Sequence, residues 1–144
     1  MQRILIVDDE KDLTWSLARG LSKTFPDWEI FTANSVQDAQ KLLEKYQVSV
    51  LISDFRMPDG DGVSLILSVK KNHPGLLSIL MTAYGSTDLM QSLLRYPDIV
   101  YLEKPFEIDD LRNILTKSMT HTNNRSNKQR LLRSSKIVSG LIYS

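Results

Sequence analysis

One alternation constrains this chain more than anything else in it: short apolar runs rich in β-branched residues trade places with segments of helical spacing. The runs are Arg3–Val7 (RILIV), Glu29–Ala33, Val48–Ser53 (VSVLIS), Leu77–Met81 and Ile99–Leu102. Three of them are apolar at almost every position, the pattern of parallel strands covered on both faces. Between the runs, Leu13, Leu17 and Leu21 recur every four residues, as do Ala39 and Leu43. Val63, Ile66 and Leu67 mark a further helical face, and Leu111 and Leu115 another. Ser35 ahead of Val36-Gln37-Asp38, and Ser86 ahead of Thr87-Asp88, read as helix caps followed by an acid in the first turn. Gly60 and Gly62 punctuate one strand-to-helix loop, and Pro26, Pro74 and Pro97 fall between elements. A β-α unit repeated five times predicts a parallel sheet with helices on both faces and right-handed crossovers.

The rhythm stops near residue 118. Residues 119–144 hold Arg125, Lys128, Arg130, Arg133 and Lys136 and no acid, so all 17 acidic residues of the 144-residue chain lie in the body. The expected organisation is therefore an acidic domain over residues 1–118 and a polar, basic linker or tail over 119–144. Within that tail THTNNRSNKQ has linker composition, and RLLRSSKIVSGLIYS is too short to build a core. Its charge could touch nucleic acid without specificity, but it offers no reading helix and no interleaved aromatics, so nucleic-acid binding by this chain alone is not expected. The absence of cysteine excludes a disulfide framework, a thiolate nucleophile and a Cys-based metal site. No apolar run is long enough for a membrane span or a signal peptide, and a cytoplasmic location without membrane contact is expected.

In an open parallel sheet, ligands gather beyond the carboxyl ends of the strands. The first strand runs into Asp8-Asp9-Glu10 and the third ends at Asp54, followed by Phe55-Arg56-Met57-Pro58-Asp59-Gly60. The fourth ends at Thr82 and the fifth is followed by Lys104-Pro105. Three carboxylates, a hydroxyl and an ammonium group are thus expected on one rim. Crowded carboxylates repel one another, and a divalent cation relieves the repulsion. Hard oxygen ligands with room for water favour Mg²⁺ over a softer metal. Beside such an ion a carboxylate can act as a nucleophile toward phosphorus, with Lys104 and the Thr82 hydroxyl supplying charge and hydrogen bonds to the phosphoryl oxygens.

The segments ILIVDDE, SDFRMPDGDG, MTAYG and YLEKPF, in that order, resemble the four signature segments of response-regulator receiver domains, over roughly residues 2–118. The resemblance implies a flavodoxin-like doubly wound α/β fold, a five-stranded parallel sheet of order 2-1-3-4-5 flanked by five helices. It implies that Asp54 is the phosphoacceptor, that Asp8, Asp9 and Asp54 hold Mg²⁺, and that Arg56 offers the metal its backbone carbonyl. Thr82 and Lys104 match the groups that bind the phosphoryl. Thr82 and Tyr101 match the switch pair, and Lys104-Pro105 the family's cis peptide. Arg56 and Tyr84 occupy positions that tune phosphoryl lifetime, and a bulky pair there predicts slow self-dephosphorylation. The implied role is a two-component phosphorelay receiver, phosphorylated by a sensor histidine kinase or a phosphotransfer protein. It would catalyse only its own phosphorylation and dephosphorylation, and would present a face formed by the fourth helix, fifth strand and fifth helix. A phosphorylation-dependent homodimer, the output partner and attachment to a transcriptional regulator are left open.

Several residues also have plainer readings. Asp8-Asp9 alone would suit a solvated loop or a cap of the first helix. Asp59, Asp61 and Glu10 read as surface charges or helix caps rather than metal ligands. Trp15 and Trp28 read as packing residues, and His73 and His121 as isolated, solvated groups. Arg95-Tyr96-Pro97 stands where relatives more often have an Ala-Gly turn, which leaves partner preference open. Two rivals remain outside the receiver class. A phosphorylation-independent interaction module would lack one member of the acid, hydroxyl and lysine set. A phosphohydrolase with an aspartate nucleophile would carry an acid two residues after it, where this chain has Arg56.

Overall fold

The computed structural model of the chain describes residues 2–83, 91 and 94–120. The chain divides into two compact units, Met1–Leu80 and Met81–Ser144. The first unit opens with strand β1 (Arg3–Val7), helix α1 (Lys11–Thr24), strand β2 (Glu29–Ala33), helix α2 (Val36–Lys45) and strand β3 (Val50–Asp54). A small antiparallel hairpin, Arg56–Met57 against Gly60–Asp61, leads into helix α3 (Gly62–Asn72). Strand β4 (Leu77–Thr82) carries the chain into the second unit, which adds strand β5 (Val100–Glu103) and helix α4 (Ile108–Thr120).

The sheet has the order β2-β1-β3-β4-β5, the expected doubly wound arrangement. Strand β1 pairs in parallel with β2 from Arg3↔Glu29 to Val7↔Ala33, and with β3 from Ile4↔Val50 to Val7↔Ser53. The apolar runs explain this placement: Ile4, Leu5, Ile6 and Val7 are all fully buried, as are Val50, Leu51 and Ile52. A central strand has no solvent face, so alternation would be a defect there.

The helices bury most of the expected stripes, with two exchanges of position and with Leu43 of α2 only half-buried beside the buried Ala39. Helix α1 buries Leu17 and Leu21, but Thr14 takes the inward place in its first turn and Leu13 is only half-buried. The Thr14 hydroxyl donates to Lys11 O at 3.0 Å and accepts from Asn34 Nδ2 at 3.0 Å, which satisfies a polar group in the core. Helix α3 buries Gly62, Val63, Leu65 and Ile66, and leaves Leu67 at 37% exposure. Helix α4 buries Leu111, Ile114 and Leu115.

Strand β3 begins at Val50, two residues later than the apolar run, and Ser49 just before it is already hydrogen-bonded on two sides. Its N–H donates to Arg3 O at 2.9 Å and its carbonyl accepts from Leu77 N at 3.0 Å. Trp15 is not a packing residue: it is 61% exposed, with the Arg19 guanidinium 5.1 Å from its ring centroid. Trp28 does pack, stacked on Phe25 at 3.8 Å. Most of the expected fourth helix, with its Ser86 cap, and the tail from residue 121 lie outside the described residues; Gln91, Leu94 and Arg95 are helical. Among the described residues no helix is long and apolar enough to cross a membrane.

Candidate metal and phosphoryl site

The acidic cluster is built by the ends of two adjacent strands. Asp8 continues the β1–β2 ladder one residue past β1, its N–H donating to Ala33 O at 3.1 Å. This holds its side chain at 0% exposure, where Oδ1 accepts from Glu10 N at 2.9 Å in a local Asx-type turn toward α1. Asn34 Nδ2 donates to Asp8 O at 2.8 Å while also reaching Thr14, so the Asp8 backbone is tied to the first turn of α1. Asp54 closes β3 half-buried, its Oδ1 accepting from Phe55 N at 3.0 Å and its carbonyl accepting from Ser53 Oγ at 3.0 Å. One carboxylate oxygen each from Asp8, Asp9 and Asp54 fall within 4.8 Å of one another. Negative groups so crowded, with Asp8 shut off from water, fit a small hard cation with oxygen ligands, the preference of Mg²⁺.

The hairpin after Asp54 is pinned on three sides. Gly62 N donates to Phe55 O at 2.8 Å, closing its base. Asp61 caps α3, accepting from Ser64 N at 2.8 Å and Ser64 Oγ at 3.0 Å. Asp59, at the tip, accepts from Val36 N at 2.9 Å and Gln37 N at 3.0 Å, the first two amides of α2. Those backbone hydrogen bonds, with Val36 first, hold the Asp59 carboxyl below its ordinary range. Asp59 and Asp61 are therefore caps, as one of their readings allowed. Glu10 stands at the N-cap of α1 without a side-chain capping bond. Arg56 is exposed on the hairpin, its guanidinium 5.6 Å from the Phe55 ring centroid.

The second unit holds the remaining candidates. Thr82 is fully buried at the end of β4, and its hydroxyl has no hydrogen-bond partner among the described residues. Lys104, half-buried, donates its backbone N–H to Thr82 O at 2.7 Å, and the Lys104-Pro105 peptide is cis. Tyr101 is fully buried on β5 with its hydroxyl donating to Tyr96 O at 3.2 Å; burial above all pushes its ionisation upward. Tyr84 lies outside the described residues. His73 does not stand alone: its Nδ1 is 3.3 Å from Gln47 Nε2, at a wide groove between the C-terminal ends of α2 and α3.

Sequence reasoning did not single out Asn34, Ser53 or the long-range target of Asp59. The Asn34-Ser35 pair signalled only a loop before a helix, and nothing local connects Asp59 with residues 22 and 23 positions away.

Crowded acids at the ends of parallel strands, in this strand order, mark a doubly wound α/β domain with an acidic site at the carboxyl edge of its sheet. The chain belongs to the response regulator receiver domain family, whose model matches residues 4–116. It is 34% identical over 118 residues to the DNA-binding transcriptional regulator NtrC of Proteus hauseri, a match covering 82% of this chain and 24% of that protein. The chain thus spans about a quarter of the length of the curated relatives it matches. A crystal structure of a two component transcriptional regulator AraC from Clostridium phytofermentans superposes with a TM-score of 0.75 at 28% identity, covering 88% of this chain and 98% of that one. The beryllofluoride-activated NtrC4 receiver domain dimer gives a TM-score of 0.67 at 33% identity, covering 85% and 96%. The chain is a receiver of two-component signalling.

Proposed function

We propose that Asp54 is the phosphoacceptor of this receiver, and that Asp8, Asp9, Asp54 and the Arg56 backbone carbonyl hold Mg²⁺ beside it. The observation that carries the proposal is the convergence of the three carboxylates within 4.8 Å at the ends of β1 and β3. The cation, when bound, would neutralise the crowded acids and draw charge from the transferring phosphoryl oxygens. Asp54 Oδ attacks the phosphorus of a phosphohistidine on a sensor kinase or phosphotransfer protein. An O–P bond forms as the N–P bond breaks, and the departing imidazole nitrogen keeps the bonding pair. The buried Thr82 hydroxyl, without a partner among the described residues, supports a role as donor to the new phosphoryl group, with Lys104 supplying positive charge. Drawing Thr82 toward that group and moving Tyr101 would bias the output face, a population shift between two pre-existing arrangements. Arg56 and Tyr84 would shield the acyl phosphate from water and lengthen its life.

The NtrC relative is a DNA-binding transcriptional regulator about four times the length of the matched segment, which supports reading this receiver, residues 1–118, as the N-terminal part of a cytoplasmic transcriptional regulator. Residues 119–144 would then be the linker to an output domain. The dimeric state of the beryllofluoride-activated NtrC4 receiver supports a phosphorylation-dependent homodimer here. The test is intact-mass measurement after incubation with acetyl phosphate and Mg²⁺, beside Asp54→Ala. One phosphoryl group per wild-type chain and none on the variant is expected. Equal labelling of both would move the acceptor elsewhere, and labelling of neither would leave the acidic cluster without this chemistry.

A further inference from the structure

Asp59 lies five residues beyond the proposed acceptor, yet its carboxylate serves a helix that precedes that acceptor in the chain. Oδ1 accepts from Val36 N at 2.9 Å and Oδ2 from Gln37 N at 3.0 Å, while Ser35 Oγ accepts from Asp38 N at 3.0 Å. The first amides of a helix have no partner within it, and their aligned dipoles favour an anion. A carboxylate using both oxygens on two of them is a strong tether, since each bond is charge-assisted. The tip carrying it is tightly seated: a Cβ added at Gly60 would stand 3.1 Å from Val36 Cγ2. The other end of the hairpin is fixed by Asp61 on Ser64 and by Gly62 N on Phe55 O. The two-residue strand Arg56–Met57, which includes the carbonyl assigned to the metal, is therefore stretched between two helix N-termini.

We propose that Asp59 is a positioning residue: by capping α2 it clamps the hairpin so that the backbone of residues 55 and 56 is set for the cation and the phosphoryl group, and it couples the start of α2 to metal occupancy. This inference rests on the metal and phosphoryl reading above. Coupling of this kind is reciprocal, so loading the acids must tighten the α2 cap as much as the cap tightens metal binding.

The test compares wild type with Asp59→Ala, Asp59→Asn and Ser35→Ala. Mg²⁺ affinity is read by calorimetry, and the exchange rates of the Val36 and Gln37 amides are read with and without Mg²⁺. Ser35→Ala removes a cap from the same helix without touching the hairpin, so it reports helix weakening alone. Asp59→Ala is expected to weaken Mg²⁺ about tenfold, the low end of what outer-shell partners of a metal contribute. Asp59→Asn, which keeps one acceptor oxygen, should fall between, and Ser35→Ala should stay within about twofold of wild type, a near-neutral outcome on the same scale. Mg²⁺ should slow exchange of the two amides in wild type and not in Asp59→Ala. If Asp59→Ala does not fold, Asp59→Asn against Ser35→Ala decides the question. Equal Mg²⁺ affinity in wild type and the Asp59 variants, equal losses in the Asp59 and Ser35 variants, or amide exchange indifferent to Mg²⁺ in wild type would each overturn the clamp alone. A wild type that binds no Mg²⁺ would instead remove the metal reading and the clamp together.

Discussion

Gly62→Ala tests how closely β3 and α3 are fitted. Gly62 is the first residue of α3, and a methyl added there would stand 2.2 Å from Asp54 O, 2.8 Å from Leu80 Cδ1 and 2.8 Å from Ser53 Oγ. Unstrained contacts of carbon need roughly 3.5 Å, so the carbonyl contact alone calls for relief of about 1 Å. Leu80 can turn its tip aside, but the obstructing atom at 2.2 Å is backbone. Moving it disturbs the proposed acceptor, because Ser53 Oγ bonds that carbonyl and Phe55 N bonds the Asp54 carboxylate. It also strains the 2.8 Å bond from Gly62 N to Phe55 O. Overpacking of this kind costs about 1–3 kcal/mol, and the backbone obstruction puts the cost at the upper end. Replacing glycine by alanine returns less than about 1 kcal/mol through the unfolded chain and helix propensity. The net expectation is destabilisation by roughly 2 kcal/mol.

Gly75 supplies the control, since a Cβ there meets no heavy atom within 4 Å. Gly75→Ala should be neutral or stabilise by up to about 1 kcal/mol. Urea unfolding of both variants gives the stabilities, and the rate of acetyl-phosphate labelling gives the effect on the acceptor. Gly62→Ala should lose both stability and rate, Gly75→Ala neither. If Gly62→Ala unfolds within about 0.5 kcal/mol of Gly75→Ala, the scatter of an ordinary surface change, and labels at the wild-type rate, the argument from close approach is wrong.

Three other substitutions or conditions separate structural from functional roles. Thr82→Val removes a buried hydroxyl that has no partner among the described residues, so stability should hold or rise, by up to about 1–3 kcal/mol if the full desolvation cost is recovered. Phosphoryl uptake should fall at the same time, and a variant that is both less stable and fully active would contradict the assignment. Tyr101 has its ionisation raised above the usual 10.0, so folding favours the protonated phenol. That contribution is complete below pH 10.0 and is lost as pH rises beyond it. Tyr101→Phe should flatten the alkaline arm of the stability curve, and an unchanged arm would show that this phenol does not cause it. Finally, Mg²⁺ at a hundred times its Kd should stabilise wild type by about 2.7 kcal/mol, reversed by chelation and much reduced in Asp8→Asn. A wild-type unfolding midpoint indifferent to Mg²⁺ would refute the metal assignment.

The sheet was legible because central strands covered on both faces must be apolar throughout, and Ile4 to Val7 and Val50 to Ile52 meet that requirement residue by residue. The acids at the strand ends were legible for a different reason, since their chemistry needs particular residue types at particular ends. What the sequence hid was settled by which partners the folded chain brings to each residue. Thr14 is buried because Asn34 reaches it, Leu65 rather than Leu67 faces inward, and Trp15 remains outside with Arg19 against it. An apolar residue at helical spacing shows that a face exists, but a shift of one residue in the helix phase follows from the surface against which it packs. Asp59 carries the same lesson for polar groups: the preference of acids for helix starts was the right physics, but α2 was the helix concerned.

The groups assigned to the metal and those assigned to the switch differ in how their side chains are satisfied. Asp8 and Asp54 each have side-chain and backbone hydrogen bonds that fix them whatever occupies the site. Thr82 is buried with its hydroxyl unpartnered among the described residues, and Tyr101 is buried with its hydroxyl bonded to Tyr96 O at 3.2 Å. An unsatisfied buried hydroxyl leaves about 1–3 kcal/mol unrealised, which an incoming acceptor can release. On the proposed reading the phosphoryl group is that acceptor. The energy matches the roughly 1–3 kcal/mol, or about 5–150-fold, by which one site typically biases another. On that reading the hydrogen-bonded Asp8 and Asp54 and the under-satisfied hydroxyl would serve different needs: the first would keep the chemistry in register, and the second would let a single covalent change alter which arrangement of the domain is favoured.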